Sequence, residues 1–97
     1  MMNANTAREM TAKAIAEKEA RMTEHAKDIV AWIERNFIKP AANNGKDATV
    51  VTSEDVHNAF YWEAELALPE AIEMLKTNGF EVNAFVERKG TVYRVMW

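Results

Sequence analysis

His25 and His57 are the side chains best suited to moving a proton near neutral pH or to holding a transition metal. Either role needs a second ligand or a carboxylate held at a fixed spacing. Neither histidine forms such a pair convincingly, and on a helix Glu54, Asp55 and His57 do not share one face. Both histidines therefore read as structural or solvent-facing. Glu63, Glu65, Glu70 and Glu73 form an acidic cluster around Leu68-Pro69, and paired carboxylates can divide general acid and base work. That division needs an apolar wall around one of them, and nothing apolar nearby singles one out. The cluster reads as solvated helix faces. Without cysteine there is no thiolate nucleophile, thiolate zinc site or disulfide. Gly45, Gly79 and Gly90, the only glycines, each fit a turn or a helix end, so no phosphate-cradling loop is present. No catalytic, metal or cofactor residue is assigned, and the expectation is a protein that is not an enzyme.

Binding chemistry is better represented. Arg88, Lys89 and Arg94 make a small basic patch with Phe85 and Tyr93 nearby, a mixture that can grip single-stranded nucleic acid. Tyr93 falls on the predicted core face and the formal net charge is -3, so nucleic acid is not the expected partner. A charged hairpin tip that blunts a sheet edge is the simpler reading. Tyr61 and Trp62 are adjacent, and two adjacent aromatics on a helix cannot both face one core. Tryptophan and tyrosine are enriched where binding energy concentrates. Tyr61, Trp62, Phe85, Arg88, Lys89 and Arg94 are accordingly the candidate partner contacts.

The elements that place these residues follow from pattern. Residues 6–39 lack glycine and proline and are rich in Ala, Glu, Lys, Arg and Met, which predicts one long helix. Asn5 or Thr6 is the expected cap, with Glu9 in capping-box spacing, and Lys39-Pro40 is the expected end. Met22, Ala26, Ile29, Val30, Ile33 and Phe37 form the stripe of a helix lying on a core, widened by Trp32 and Ile38. Between Thr6 and Met22 the only large apolar residues are Met10 and Ile15. At ~1.5 Å per residue the whole helix would measure about 50 Å, more than a core of this size covers. The first half is expected to project, and Ile15, Met22 and Ile29 recur every seven residues, the spacing of a helix-to-helix seam. Met10, Ile15 and Met22 are the candidate self-association residues of a homo-oligomer.

After the turn cluster Asn43-Asn44-Gly45, Ala48 to Thr52 reads as a strand and Thr52 or Ser53 as the cap of a helix through about Glu65, with Val56, Ala59, Phe60 and Ala64 inward. Pro69 to Asn78 reads as another helix, ended by Asn78-Gly79. Glu81 to Trp97 predicts a β-hairpin about Lys89-Gly90, with Val82, Ala84, Val86, Tyr93, Val95 and Trp97 on one apolar face. Trp97 is expected to pin the last strand. The other face carries Phe85, Val92 and Met96, more apolar surface than a purely wet face needs. The expected fold is α+β, ordered α-β-α-α-β-β, with a three-stranded, mostly antiparallel sheet whose first strand could pair on either side. The 97 residues suit one domain, with 46–97 as its α/β body.

With 48% hydrophobic and 28% charged residues, 12 basic against 15 acidic, the composition is that of a folded, mildly acidic domain. No apolar run reaches the ~20 residues that span a bilayer, and no secretory signal is evident, so the expected place is a cytoplasm.

The segments Asn3 to Thr11, Ala41 to Lys46, Leu75 to Val82 and the ending Val95-Met96-Trp97 resemble small proteins encoded by bacteriophages and prophages. The resemblance covers both ends of the chain but not its middle; Phe60-Tyr61-Trp62 departs from the pattern, and the hairpin lacks a polar insertion. It implies a phage-encoded protein in a host cytoplasm and carries over neither an assigned activity nor a catalytic residue; the size, the acidity and the missing chemistry are what fit action on a host or phage protein. The expected function is a small binding protein that self-associates and acts on another macromolecule. A structural component of a phage particle, or a nucleotide-type small-ligand binder with its pocket between subunits, are the alternatives.

Overall fold

Asn3 caps the first helix: its Oδ1 accepts the Thr6 backbone N–H at 2.9 Å and the Thr6 hydroxyl at 3.1 Å. The cap thus lies before Asn5 and Thr6, because Asn3 already has the extended backbone that an N-cap requires. The computed structural model describes residues 3–97. Helix α1 (Ala4–Ile33) passes into a π turn (Glu34–Ile38) and then α2 (Lys39–Asn43), so the rod continues past the expected stop at Lys39-Pro40. In an α-helix the Pro40 ring would strike the carbonyl of Asn36. Here the widened turn surrounds Asn36, with Lys39 N–H bonded five residues back to the Glu34 carbonyl, which gives the ring room.

Strand β1 (Ala48–Thr52) leads directly into α3 (Ser53–Ala59). Thr52 Oγ1 accepts the Asp55 N–H and Asp55 Oδ2 accepts the Thr52 N–H, both at 3.1 Å, a complete capping box. The helix expected to reach Glu65 stops at Ala59. Phe60 is extended, at φ -127 and ψ 149, and the chain restarts as the short α4 (Trp62–Glu65). Neither glycine nor proline marks this break; tertiary packing makes it, because turning the chain out at Phe60 lets that ring meet Trp32 edge to face at 5.4 Å. Helix α5 (Leu68–Thr77) ends in a Schellman pattern: Phe80 N–H bonds to the Leu75 carbonyl and Gly79 N–H to that of Lys76, with Gly79 at φ 95.

Strands β2 (Glu81–Glu87) and β3 (Gly90–Met96) form the hairpin, and β1 pairs on the far side of β3, giving an all-antiparallel sheet of order β1-β3-β2. The turn is Arg88-Lys89 rather than Lys89-Gly90, so Val82 faces Val95 and Ala84 faces Tyr93. Arg88 and Lys89 both keep negative φ and Gly90, at φ 131, takes the conformation that residues with a side chain avoid. This register differs from the expected one by two residues, and side chains alternate with period two, so each residue keeps its expected face.

The core lies between that face and the second half of α1. Ile29, Ile33, Val51, Val56, Ala71, Leu75 and Val95 are its buried centre, each large member worth about 1.5–3 kcal/mol of apolar burial. Trp32, Phe37, Phe60, Ile72, Val82 and Tyr93 pack around them. Ala59, expected inward, is exposed, while Val56 and Ala64 are buried. Trp97 is tied to the body by its N–H bond to the Asp47 carbonyl at 2.9 Å and by edge contact with Phe80.

Asn3 to Arg21 are exposed at every position. The described residues extend 64 × 29 × 19 Å with a radius of gyration of 17.1 Å, against about 13 Å for a compact chain of this length. The first half of α1 therefore projects, over about 27 Å from Ala4 to Arg21.

Candidate functional site

The residues with catalytic potential are dispersed. His57 Nδ1 lies 2.9 Å from Glu65 Oε2, a pair that ties α3 to α4 on the surface. His25 meets the Tyr61 ring edge on, with centroids 5.7 Å apart, and its Nε2 lies 3.5 Å from the Tyr61 hydroxyl. The acidic cluster separates in space: Glu65 turns to His57, Glu70 accepts the Thr23 hydroxyl at 3.0 Å, and Glu73 lies 3.5 Å from Lys76. Among the described residues no three of His, Cys, Asp and Glu converge on a metal-sized space. None of their helices is long and apolar enough to cross a membrane.

What the fold does assemble is apolar surface. The break at Phe60 sends that ring inward and leaves Tyr61 and Trp62 outside, Trp62 with 70% of its surface exposed. Both aromatics are thus exposed, Tyr61 with one contact to His25 and Trp62 more openly, because they do not share one continuous helix. Leu66, one turn after Trp62, is also exposed, and these two side chains border a notch of about 230 Å³ against Lys18, Met22 and His25 of α1. A second hollow beside it is bordered by Trp62, Leu66, Pro69 and Tyr93. Leu66 was not among the sequence candidates. It sits in Ala64-Glu65-Leu66-Ala67-Leu68, where Ala64, Ala67 and Leu68 are buried and only the turn at Leu66 directs it outward.

The projecting half of α1 holds the self-association candidates. At about 100° per residue, Ile15, Met22 and Ile29 follow one line along the helix, so Ile15 continues outward the stripe that Ile29 and Ile33 bury. Met10 stands about 140° from Ile15 round the axis and belongs to another side. Met10 and Ile15 are exposed, and Met22 is half-buried against the core.

The sheet face away from the helices buries no residue. Its rows are Ala48, Met96 and Glu81; Val50, Arg94 and Asn83; and Thr52, Val92 and Phe85. Phe85 and Val50 are exposed there, as expected for Phe85. Arg94 lies between Val50 and Asn83, about 14 Å along the strand from Gly90. The three basic candidates are thereby divided, with Arg88 and Lys89 in the turn and Arg94 within the open face.

Comparison with protein-family models, with curated proteins and with solved structures finds no match to this chain.

Proposed function

We propose that this chain is a small non-enzymatic binding protein that self-associates through the projecting half of α1 and offers Tyr61, Trp62 and Leu66 to a second macromolecule. The observation that carries the reading is the unbroken exposure from Asn3 to Arg21 on a helix whose apolar line, Ile15 to Met22, runs straight into the core. Arg8, Lys13, Lys18 and Arg21 stand against Glu9, Glu17 and Glu19, four positive to three negative, in a chain of net charge -3. Two such segments can therefore approach without strong repulsion, whereas the acidic bodies keep apart. Alanines at 4, 7, 12 and 14 leave the helix slim enough for a close neighbour. The resemblance to bacteriophage proteins supports a phage-type role in a host cytoplasm, with a host or phage protein as the partner.

Light scattering across concentration tests the reading. The mass is expected to exceed the 11.0 kDa of one chain and to fall in Ile15→Glu, which places a charge on the line that runs from Ile15 to Met22. A mass of one chain from micromolar to millimolar protein would overturn it.

A further inference from the structure

The outer edge of β2 is open, and its backbone groups can be assigned. Trp97 N–H donates to the Asp47 carbonyl, so the odd-numbered residues of β3 bond to β1 and the even-numbered ones bond to β2. The partners of Met96, Arg94, Val92 and Gly90 are Glu81, Asn83, Phe85 and Glu87. Val82, Ala84 and Val86 are left with their N–H and C=O groups directed away from the sheet.

Edge strands are normally blunted by proline, an internal charge, a bulge or a covering element. Between its terminal glutamates β2 has none of these: its sequence is Val-Asn-Ala-Phe-Val, its register with β3 is unbroken, and every residue but Val82 is exposed. Val86 has 88% of its surface exposed although it lies on the core side of the sheet. Helix α5 also contacts β2 yet leaves every residue of it but Val82 exposed, whereas the other edge strand, β1, is flanked by the π turn and α2.

We propose that β2 pairs antiparallel with β2 of a second copy, across a two-fold axis at Phe85, joining two three-stranded sheets into one of six. Charge favours that register over the neighbouring one centred on Ala84. Centring the axis on Ala84 would set Glu81 directly against Glu87 of the other copy, twice, and like charges directly opposite are destabilising. Centring it on Phe85 sets the two Phe85 rings together, brings Ala84 opposite Val86 with both backbone edges facing, and carries Glu81 towards Lys89 of the other turn. The outward groups of Ala84 and Val86 are then bonded, and the exposed Val86 side chain gains a neighbour.

This surface is distinct from the helix, and a chain with two separate two-fold surfaces assembles beyond a dimer. Hydrogen exchange on the full chain tests it amide by amide. Protection of the Ala84 and Val86 amides is expected to rise by about tenfold or more from micromolar to millimolar protein, while Asn83 and Phe85, already bonded to β3, change little. Ala84→Pro deletes an outward N–H without touching a bond to β3, and should abolish the rise at Val86. Phe85→Arg, a change at an exposed site that sets like charges across the axis, should do the same, and decides the matter if the proline variant fails to fold. Ile15→Glu should leave the rise in place, so failure of the helix surface and failure of the strand edge give different results. Equal exchange of Ala84 and Val86 at both ends of the concentration range would overturn the pairing.

Discussion

The Thr23 hydroxyl donates to the Glu70 carboxylate across 3.0 Å, and this bond from α1 to α5 marks where the rod leaves solvent and joins the body. Met22 is the first residue of α1 to pack on the core and Ala26 the first to be buried. The half before this junction contributes length without contributing to the core.

Removing residues 1–18 is therefore expected to leave the body folded. Measured where both chains are monomeric, since association would otherwise raise apparent stability, the unfolding free energy should change by less than about 0.5 kcal/mol. Trp32, Trp62 and Trp97 all lie beyond the cut, so the near-ultraviolet tryptophan dichroism should persist. Its loss would place part of the core under the projecting half.

Trp62 and Trp32 should behave as opposites. Trp32 is held between Phe37 and Phe60, with ring centroids at 5.1 and 5.4 Å, whereas Trp62 stands outside. Trp62→Ala is expected to shift stability by less than about 0.5 kcal/mol and to remove the most quencher-accessible part of the fluorescence, while Trp32→Ala should cost about 3 kcal/mol or more. Equal costs in urea unfolding would mean that Trp62 supports the core.

Loss of the capping box at α3 has a defined scale. Thr52→Ala removes the acceptor of the Asp55 N–H, and a lost N-cap costs about 1 kcal/mol, within 0.5–2. The urea midpoint should fall with an unchanged slope, because the surface exposed on unfolding stays the same. An unaltered midpoint would mean that water replaces the hydroxyl without penalty.

The α+β class, the projecting helix and the sorting of the hairpin faces were legible in the sequence because each rests on a long periodic pattern. A register error of two residues could not disturb the faces, since parity alone decides them. What escaped the sequence was punctuation set by tertiary contacts. Lys89-Gly90 resembles a turn dipeptide, yet the glycine serves the start of β3. Pro40 resembles a stop, yet a π turn accommodates it. The break at Phe60 has no breaker residue, and it is this break that exposes Tyr61 and Trp62 together. Tyr61 and Trp62 were thus visible as residue types and invisible as geometry, and Leu66 was visible as neither. Which strand of the hairpin receives β1 also lies outside local pattern, because the outer edges of β2 and β3 offer the same backbone groups.

Ser53 and Gly90 fix where the hairpin sits on the helices, and they can be tested as a pair. Ser53 Oγ accepts the Thr91 N–H at 3.0 Å, and a side chain added at Gly90 would run into that same oxygen. Gly90 also sits at φ 131, where residues other than glycine are strained. Ser53→Ala alone should cost about 1 kcal/mol, the loss of one part-buried hydrogen bond. Gly90→Ala should cost more, since collision and strain add. In the double variant the collision is relieved but the strain is not, so Gly90→Ala should cost less on the Ser53→Ala background, with a coupling of about 0.5 kcal/mol or more. Strict additivity in urea unfolding would show that the strand shifts away from α3 freely, and that Ser53 does not set the position of the turn carrying Arg88 and Lys89.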